Sequence, residues 1–341
     1  MAISPDKSKR SLQERDFTPD FTQRRWRTLR AVLLCLLALL LGYVTLYLWH
    51  RPFRAAPRAE HFELLAHRGV HQRFSTENLD NETCTANRME PPTHALLENT
   101  PQSIAAAIAA GATRVEIDLH LSLDGELMVF HDWTLDCRTE GHGETRQHTL
   151  AQLKQLDIGY GYTADGGQTF PFRGQFIGAM PTLAELLQQF PNSHFLLDQK
   201  DPSPHLTQAL IRLLNNRQEV DLENLCLQST AQRNTQFELA FPGRACTWPD
   251  KRELKRCFLD YLAAPFSTAA PASCANKILI VPDWASARLA WGWPGSFVER
   301  MHAVDSRVLV YTDDPARAQH YRSLGFDGVF TNRIQNWATA P

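Results

Sequence analysis

From Ala31 to Trp49 the chain reads AVLLCLLALLLGYVTLYLW, nineteen residues without a charge. A bilayer core of about 30 Å needs about 20 apolar helical residues, so a helix here is long enough to span. A buried helix of a globular protein would show a polar face over such a length, and this run has none. A cleaved signal peptide would carry an apolar stretch of about 7–15 residues ending in small residues. Here the run is longer, thirty residues precede it, and His50, Arg51 and Pro52 follow it. The Arg24-Arg25 pair only faintly resembles a twin-arginine export signal, because the residues after it fit poorly. The reading is an uncleaved anchor over 31–49, with a tail at 1–30, a linker at 50–60 and a body at 61–341.

Charge orients the anchor. Residues 1–30 hold eight Lys/Arg against four Asp/Glu, and Arg51, Arg54 and Arg58 follow the span. Within a chain of net charge −2, that leaves residues 59–341 at −9. Arg24, Arg25, Arg27 and Arg30 sit just before the span, with Lys7, Lys9, Arg10 and Arg15 further out. The positive-inside bias therefore predicts a cytoplasmic amino terminus and an extracytoplasmic body, periplasmic or extracellular. An acidic body gives no support to nucleic-acid binding, and no protein partner is predicted. Cysteine usage agrees with export. Cys35 lies in the span, which leaves Cys84, Cys137, Cys226, Cys246, Cys257 and Cys274, an even number suited to disulfides. No CxxC pair is present, which argues against a zinc ribbon.

Beyond the linker, nine short apolar runs alternate with amphipathic stretches: Phe62–Ala66, Arg114–Leu119, Leu127–His131, His194–Asp198, Leu225–Gln228, Arg244–Trp248, Ile278–Val281, Val308–Tyr311 and Gly328–Thr331. Between them, Pro101–Ala110 is strongly helix-forming, and Thr182 with Glu185 three residues on forms a capping-box pattern. Strands alternating with helices over such a length predict a parallel sheet, and an α/β fold of the (β/α)8 barrel type fits as one domain. Nine runs for eight strands leave one that is either a strand outside the barrel or no strand at all. Residues 70–97 and 133–180 are too long for ordinary connections, and long loops that follow barrel strands rim the functional face.

The chemistry concentrates at strand ends. Glu116 and Asp118 alternate on one face of an apolar strand, a spacing suited to a hard divalent cation held through oxygen. Asp198 and Lys200 repeat that geometry, His67-Arg68 ends the first run, and His131-Asp132 ends the third. Together they provide an acid, a base, a cation site and positive charge for an anion, the inventory of phosphodiester cleavage.

In these residues the body resembles the glycerophosphodiester phosphodiesterases. The matching pieces are AHRG (66–69), LENTPQSI (97–104), VEIDLHLSLDGELMVFHD (115–132), MPTLAELL (180–187), LLDQK (196–200), VYTDD (310–314) and GFDGVFTN (325–332). They cover essentially all of 62–335. The resemblance implies the (β/α)8 fold and a divalent cation, Mg²⁺ or Ca²⁺, on Glu116, Asp118 and Asp198. It further implies His67 and His131 as the acid–base pair and Arg68 and Lys200 on the phosphate. Glu98 and Asn99 support the site from beside it. The expected reaction is hydrolysis of glycerophosphodiesters to glycerol 3-phosphate and an alcohol. Asp198 stands where the family usually has glutamate, Tyr311 where it commonly has tryptophan, and Asn332 where it commonly has aspartate.

Two alternatives compete with that expectation. A lysophospholipase D-type enzyme would use the same site, with Trp133, Trp284, Trp291 and Trp293 as an acyl-binding lip. A non-catalytic membrane-tethered binding protein would have lost acid–base or metal groups, and this chain keeps them all. The long loops after the first and third runs predict a disulfide between Cys84 and Cys137 over the site, with Cys257–Cys274 as a second pairing.

Overall fold

In the computed structural model the described residues are 21–50, 61–80, 83–201, 203–217, 219–283 and 290–338. Trp284 and most of the predicted tail and linker lie outside them. The chain divides into two compact units, Met1–Trp49 and His50–Pro341. The described part of the first is one helix, α1 (Phe21–Trp49), in which Arg25–Trp49 is long and apolar enough to cross a membrane. At 1.5 Å per residue that segment measures about 37 Å, more than a hydrocarbon core.

The second unit alternates strand and helix. Its elements run β1 (Glu63–His67), α2 (Pro101–Ala109), β2 (Arg114–Leu121), β3 (Leu127–Val129), α3 (Leu150–Leu153), α4 (Leu183–Gln189), β4 (Phe195–Gln199) and α5 (His205–Asn215). They continue with β5 (Leu225–Gln228), α6 (Ala231–Ala240), β6 (Cys246–Trp248), α7 (Lys251–Ala263), β7 (Ile278–Pro282), α8 (Gly295–His302), β8 (Arg307–Tyr311), α9 (Pro315–Ser323) and β9 (Gly328–Thr331). Eight parallel strands pair in the order β6-β5-β4-β2-β1-β9-β8-β7, a nearly closed (β/α)8 barrel. All nine predicted runs are strands, and β3 is the one outside the barrel. It pairs antiparallel with β2 through a turn at Ser122–Gly125, where Gly125 has φ +89°.

Alternation sorts the side chains. Leu64, Ala66, Val115, Ile117 and Leu119 face outward into the layer beneath the helices. Leu65, Leu196, Cys226, Trp248, Leu309 and Phe330 form the inner cluster. The two long loops build a third core of their own, from residues such as Leu97, Met128, Phe130, Leu135, Tyr162 and Met180. A disulfide joins Cys84 to Cys137 (Cα–Cα 5.5 Å), stapling these loops together. Cys257 of α7 bonds Cys274. Cys226 and Cys246, directly opposed on β5 and β6, form the third bond.

Candidate active site at the carboxyl rim of the barrel

Strand register brings the candidate residues to one level. His67 pairs with Glu116 across β1 and β2, and Asp118 with Asp198 across β2 and β4. His131 arrives differently. Strand β2 runs on past the rim, and β3 folds back along it so that Phe130 N–H donates to the Asp118 carbonyl. His131 therefore reaches the rim from an antiparallel strand, and not from a barrel strand as its sequence position suggested.

The turn after β1 depends on its glycine. Arg68 (φ +58°) and Gly69 (φ +78°) are both left-handed, and a Cβ at Gly69 would lie 2.6 Å from Ser103 Oγ. This turn aims the Arg68 backbone N–H at the Glu116 carboxylate (3.1 Å) and its side chain at Asp118 (3.3 Å) and Glu98 (3.1 Å). Asn99, also left-handed, donates to Asp118 Oδ2 at 2.7 Å and accepts from the Asp118 N–H. Thr100 then caps α2 with Pro101 behind it. The predicted supporting pair thus divides its work: Glu98 holds Arg68, and Asn99 holds Asp118.

Oxygens of Glu116, Asp118 and Asp198 lie within 4.8 Å of one another. Glu116 and Asp118 are buried, with Asp198 half-buried. Burial, and next the Asp118 charge, push the Glu116 carboxyl well above the usual range. Burial would raise Asp118 too, but Lys200 and Arg68 outweigh it and hold that carboxyl well below its usual value. The Lys200 ammonium sits 3.2 Å from Asp118 Oδ1 and closer still to Asp198. Asp118 Oδ1 is nonetheless buried without a hydrogen bond. Three crowded carboxylates, one driven toward neutrality and one with an orphaned oxygen, fit a hard divalent cation. No cysteine competes, since all six of the body are in disulfides.

The histidines have unlike supports. His67 Nδ1 hydrogen-bonds Asn332 Oδ1 at 2.6 Å, and the Asn332 amide in turn donates to the Tyr311 hydroxyl. Its Nε2 faces Glu116 at 3.8 Å. Burial, reinforced by the Arg68 charge, keeps this ring well below the ordinary histidine value and therefore neutral. His131 Nδ1 bonds the Asp132 carboxylate at 2.7 Å, and Asp132 is held by Arg138 Nε at 2.8 Å. Arg138 also reaches Glu98 (3.1 Å), Thr85 Oγ1 (2.7 Å) and the Tyr162 hydroxyl. Burial would raise Asp132, but Arg138 and His131 overcome it and keep Asp132 ionised.

Arg138 escaped the sequence reading. It lies in a glycine-rich loop without periodicity, and the only local signal was its place beside Cys137. Asn332 and Tyr311 were visible there only as departures from a family pattern, not as the support of His67. Of the four tryptophans considered as a lip, Trp133 is exposed beside the site. Trp293 is buried against Phe297 and Phe326, and Trp291 donates its indole N–H to Leu262.

Fold and rim together define a (β/α)8-barrel protein with two histidines and a carboxylate cluster at the carboxyl ends of its strands. The profile of the glycerophosphoryl diester phosphodiesterase family matches residues 67–336, and the chain belongs to that family. A glycerophosphodiester phosphodiesterase of Bacillus subtilis is 34% identical over 123 residues, 34% of this chain and 41% of that one. The chain thus spans well under half the length of the curated relatives it matches. Two solved structures share the fold. The glycerophosphoryl diester phosphodiesterase domain of an uncharacterized Mycobacterium tuberculosis protein has a TM-score of 0.56 at 19% identity, covering 82% of this chain and 98% of that one. A phosphodiesterase of Oleispira antarctica, solved in complex with the product sn-glycerol-3-phosphate, has a TM-score of 0.53 at 22% identity, with coverages of 82% and 97%.

Proposed function

We propose that this chain is a membrane-anchored, metal-dependent phosphodiesterase that hydrolyses glycerophosphodiesters to glycerol 3-phosphate and an alcohol. The observation that carries the reading is the carboxylate trio Glu116, Asp118 and Asp198, with His67 paired to Glu116 by strand register and His131 brought to the same rim by β3. Family membership and the product bound to the Oleispira antarctica phosphodiesterase support the substrate class. Glu116, Asp118 and Asp198 would hold one divalent cation, Mg²⁺ or Ca²⁺, which supplies positive charge to a non-bridging phosphate oxygen.

The residues do the rest. Arg68 and Lys200 bind phosphate oxygens and orient the diester. His67, neutral and with Nδ1 committed to Asn332, takes the proton of the attacking oxygen at Nε2. That oxygen is the neighbouring glycerol hydroxyl, giving a cyclic phosphate that water opens in a second step. His131, with Nδ1 committed to Asp132, delivers a proton from Nε2 to the leaving oxygen while the carboxylate balances the charge on the ring. Purified chain incubated with glycerophosphoglycerol and glycerophosphocholine should release glycerol 3-phosphate. Release confined to acylated lyso forms would favour a lysophospholipase D instead.

Helix α1 serves as the anchor in this reading, with the amino terminus cytoplasmic and the barrel outside. Support comes from the arginines before the span and from three disulfides in the body, which suit an oxidising compartment. Protease added to intact cells or spheroplasts should digest the body and spare the basic tail, and the opposite pattern would reverse the orientation.

A further inference from the structure

A groove leaves the rim on the His131 side, and acid–base chemistry does not use most of it. It encloses about 610 Å³ and runs from Asp198 and Lys200 past Gln228 and Thr230 to Lys251 and Arg252. His131 lines it and His67 does not. We propose that this groove receives the alcohol half of the diester, and that Lys251 and Arg252 select alcohols bearing a further anionic group such as a second phosphate. The inference rests on the phosphodiesterase reading and deepens it.

Three observations converge. The two histidines have different surroundings: His67 stands against the rings of Phe330 (5.1 Å) and His71 (6.2 Å), with Asn332 beside it, whereas His131 lines the groove. The groove therefore opens beside the ring that would protonate the leaving oxygen, the place for the half of the diester that leaves and varies. Next, the far wall carries two cations, Lys251 and Arg252, against one carboxylate, Asp250. Lys251 and Arg252 are exposed, and neither forms an ion pair among the described residues. The nearest carboxylate, Asp250, is turned to the backbone, where it accepts from the N–H groups of Ala231, Arg252 and Glu253. In a body whose net charge is −9, two exposed cations lining the groove without an ion pair among the described residues point to an anion. Finally, the groove is poorly made for a quaternary ammonium. Recognition of that group uses an aromatic cage, and Trp133 is the one aromatic ring among the described lining residues apart from His131.

The test compares two substrates that differ only in the extra charge, glycerophosphoinositol and glycerophosphoinositol 4-phosphate. It uses the full chain in detergent micelles and reads kcat/KM. Wild type should favour the phosphorylated alcohol by about tenfold at low salt, the scale of two exposed charge pairs, and less at high salt. In the Lys251→Ala/Arg252→Ala double variant that ratio should fall to near one, and Arg252→Lys should keep most of it. Arg256→Ala, which alters the same helix outside the groove, should leave the ratio unchanged. Equal turnover of the two substrates by wild type, or a preference that survives in the double variant, overturns the subsite alone. Turnover of neither by a wild type that still hydrolyses glycerophosphoglycerol also overturns the subsite alone, whereas no turnover of glycerophosphoglycerol either overturns the phosphodiesterase reading, and the subsite with it.

Discussion

The two histidines of the rim are held by opposite means. His67 sits on the barrel itself and leans on neutral partners, Asn332 and then Tyr311, which strand register delivers. His131 sits on a hairpin outside the barrel and leans on a chain of charges, Asp132, Arg138 and Glu98, inside loops closed by a disulfide. Burial and the Arg68 charge keep the His67 ring uncharged, while Asn332 fixes its orientation. In the proposed reaction, the anion beside the other ring would balance charge as a proton passes through it. Barrel geometry alone places the first arrangement, whereas the second needs a separate small core to hold it.

The largest effects should come from the rings. His67→Ala and His131→Ala should each lower kcat by roughly 10²–10⁴-fold. Turnover near wild type for either variant would break the assignment of the two roles. Opening the Cys84–Cys137 bond in a Cys84→Ser/Cys137→Ser variant should strike the His131 side only. Closing a loop of this span is worth on the order of 4 kcal/mol in principle, often less. The melting temperature should therefore fall, with Arg138 and Thr85 next to the bond losing their fixed contact. An unchanged melting temperature would mean that the loop core needs no staple.

Much of this comparison was legible in the residues themselves. Inward Glu116, Asp118 and Asp198 follow from alternation along apolar strands, and every strand was visible as a run. The origin of His131 was not, because the LMV of β3 has the composition of a barrel strand. The Asp124-Gly125 pair between two apolar runs was the available hairpin signal. Arg138 was hidden for a different reason: its partner Glu98 lies 40 residues away in sequence, and only the packing of two aperiodic loops brings them together. The Cys226–Cys246 bond likewise depends on β5–β6 register, which composition does not reveal.

Two smaller effects sharpen the contrast. Asp132→Asn should lower kcat about 100-fold, because it removes the charge beside His131 and strands Arg138. Asn332→Leu should cost about tenfold, since only a neutral orienting bond to His67 is lost. The reverse ranking would mean that the neutral support matters more. Smaller still is an effect of pH on folding. Burial pushes His71, beside His67, down to about 4. The unfolded chain binds that proton near pH 6.5 and the folded chain resists it, so stability is present above pH 6.5 and is lost as pH falls toward 4. Between pH 7 and pH 5 the loss should be roughly 2 kcal/mol, read by denaturant titration, and it should shrink in His71→Gln. A pH slope identical in that variant would exclude His71 as its source.

The measurement that bears most directly on the whole account is glycerol 3-phosphate release from glycerophosphoglycerol, before and after exhaustive chelation and then with Mg²⁺ or Ca²⁺ restored. The account predicts release by the untreated chain, its loss on chelation and its recovery with one of those ions, but no recovery in Asp118→Asn. Release that persists through chelation, or that Asp118→Asn leaves intact, would contradict it.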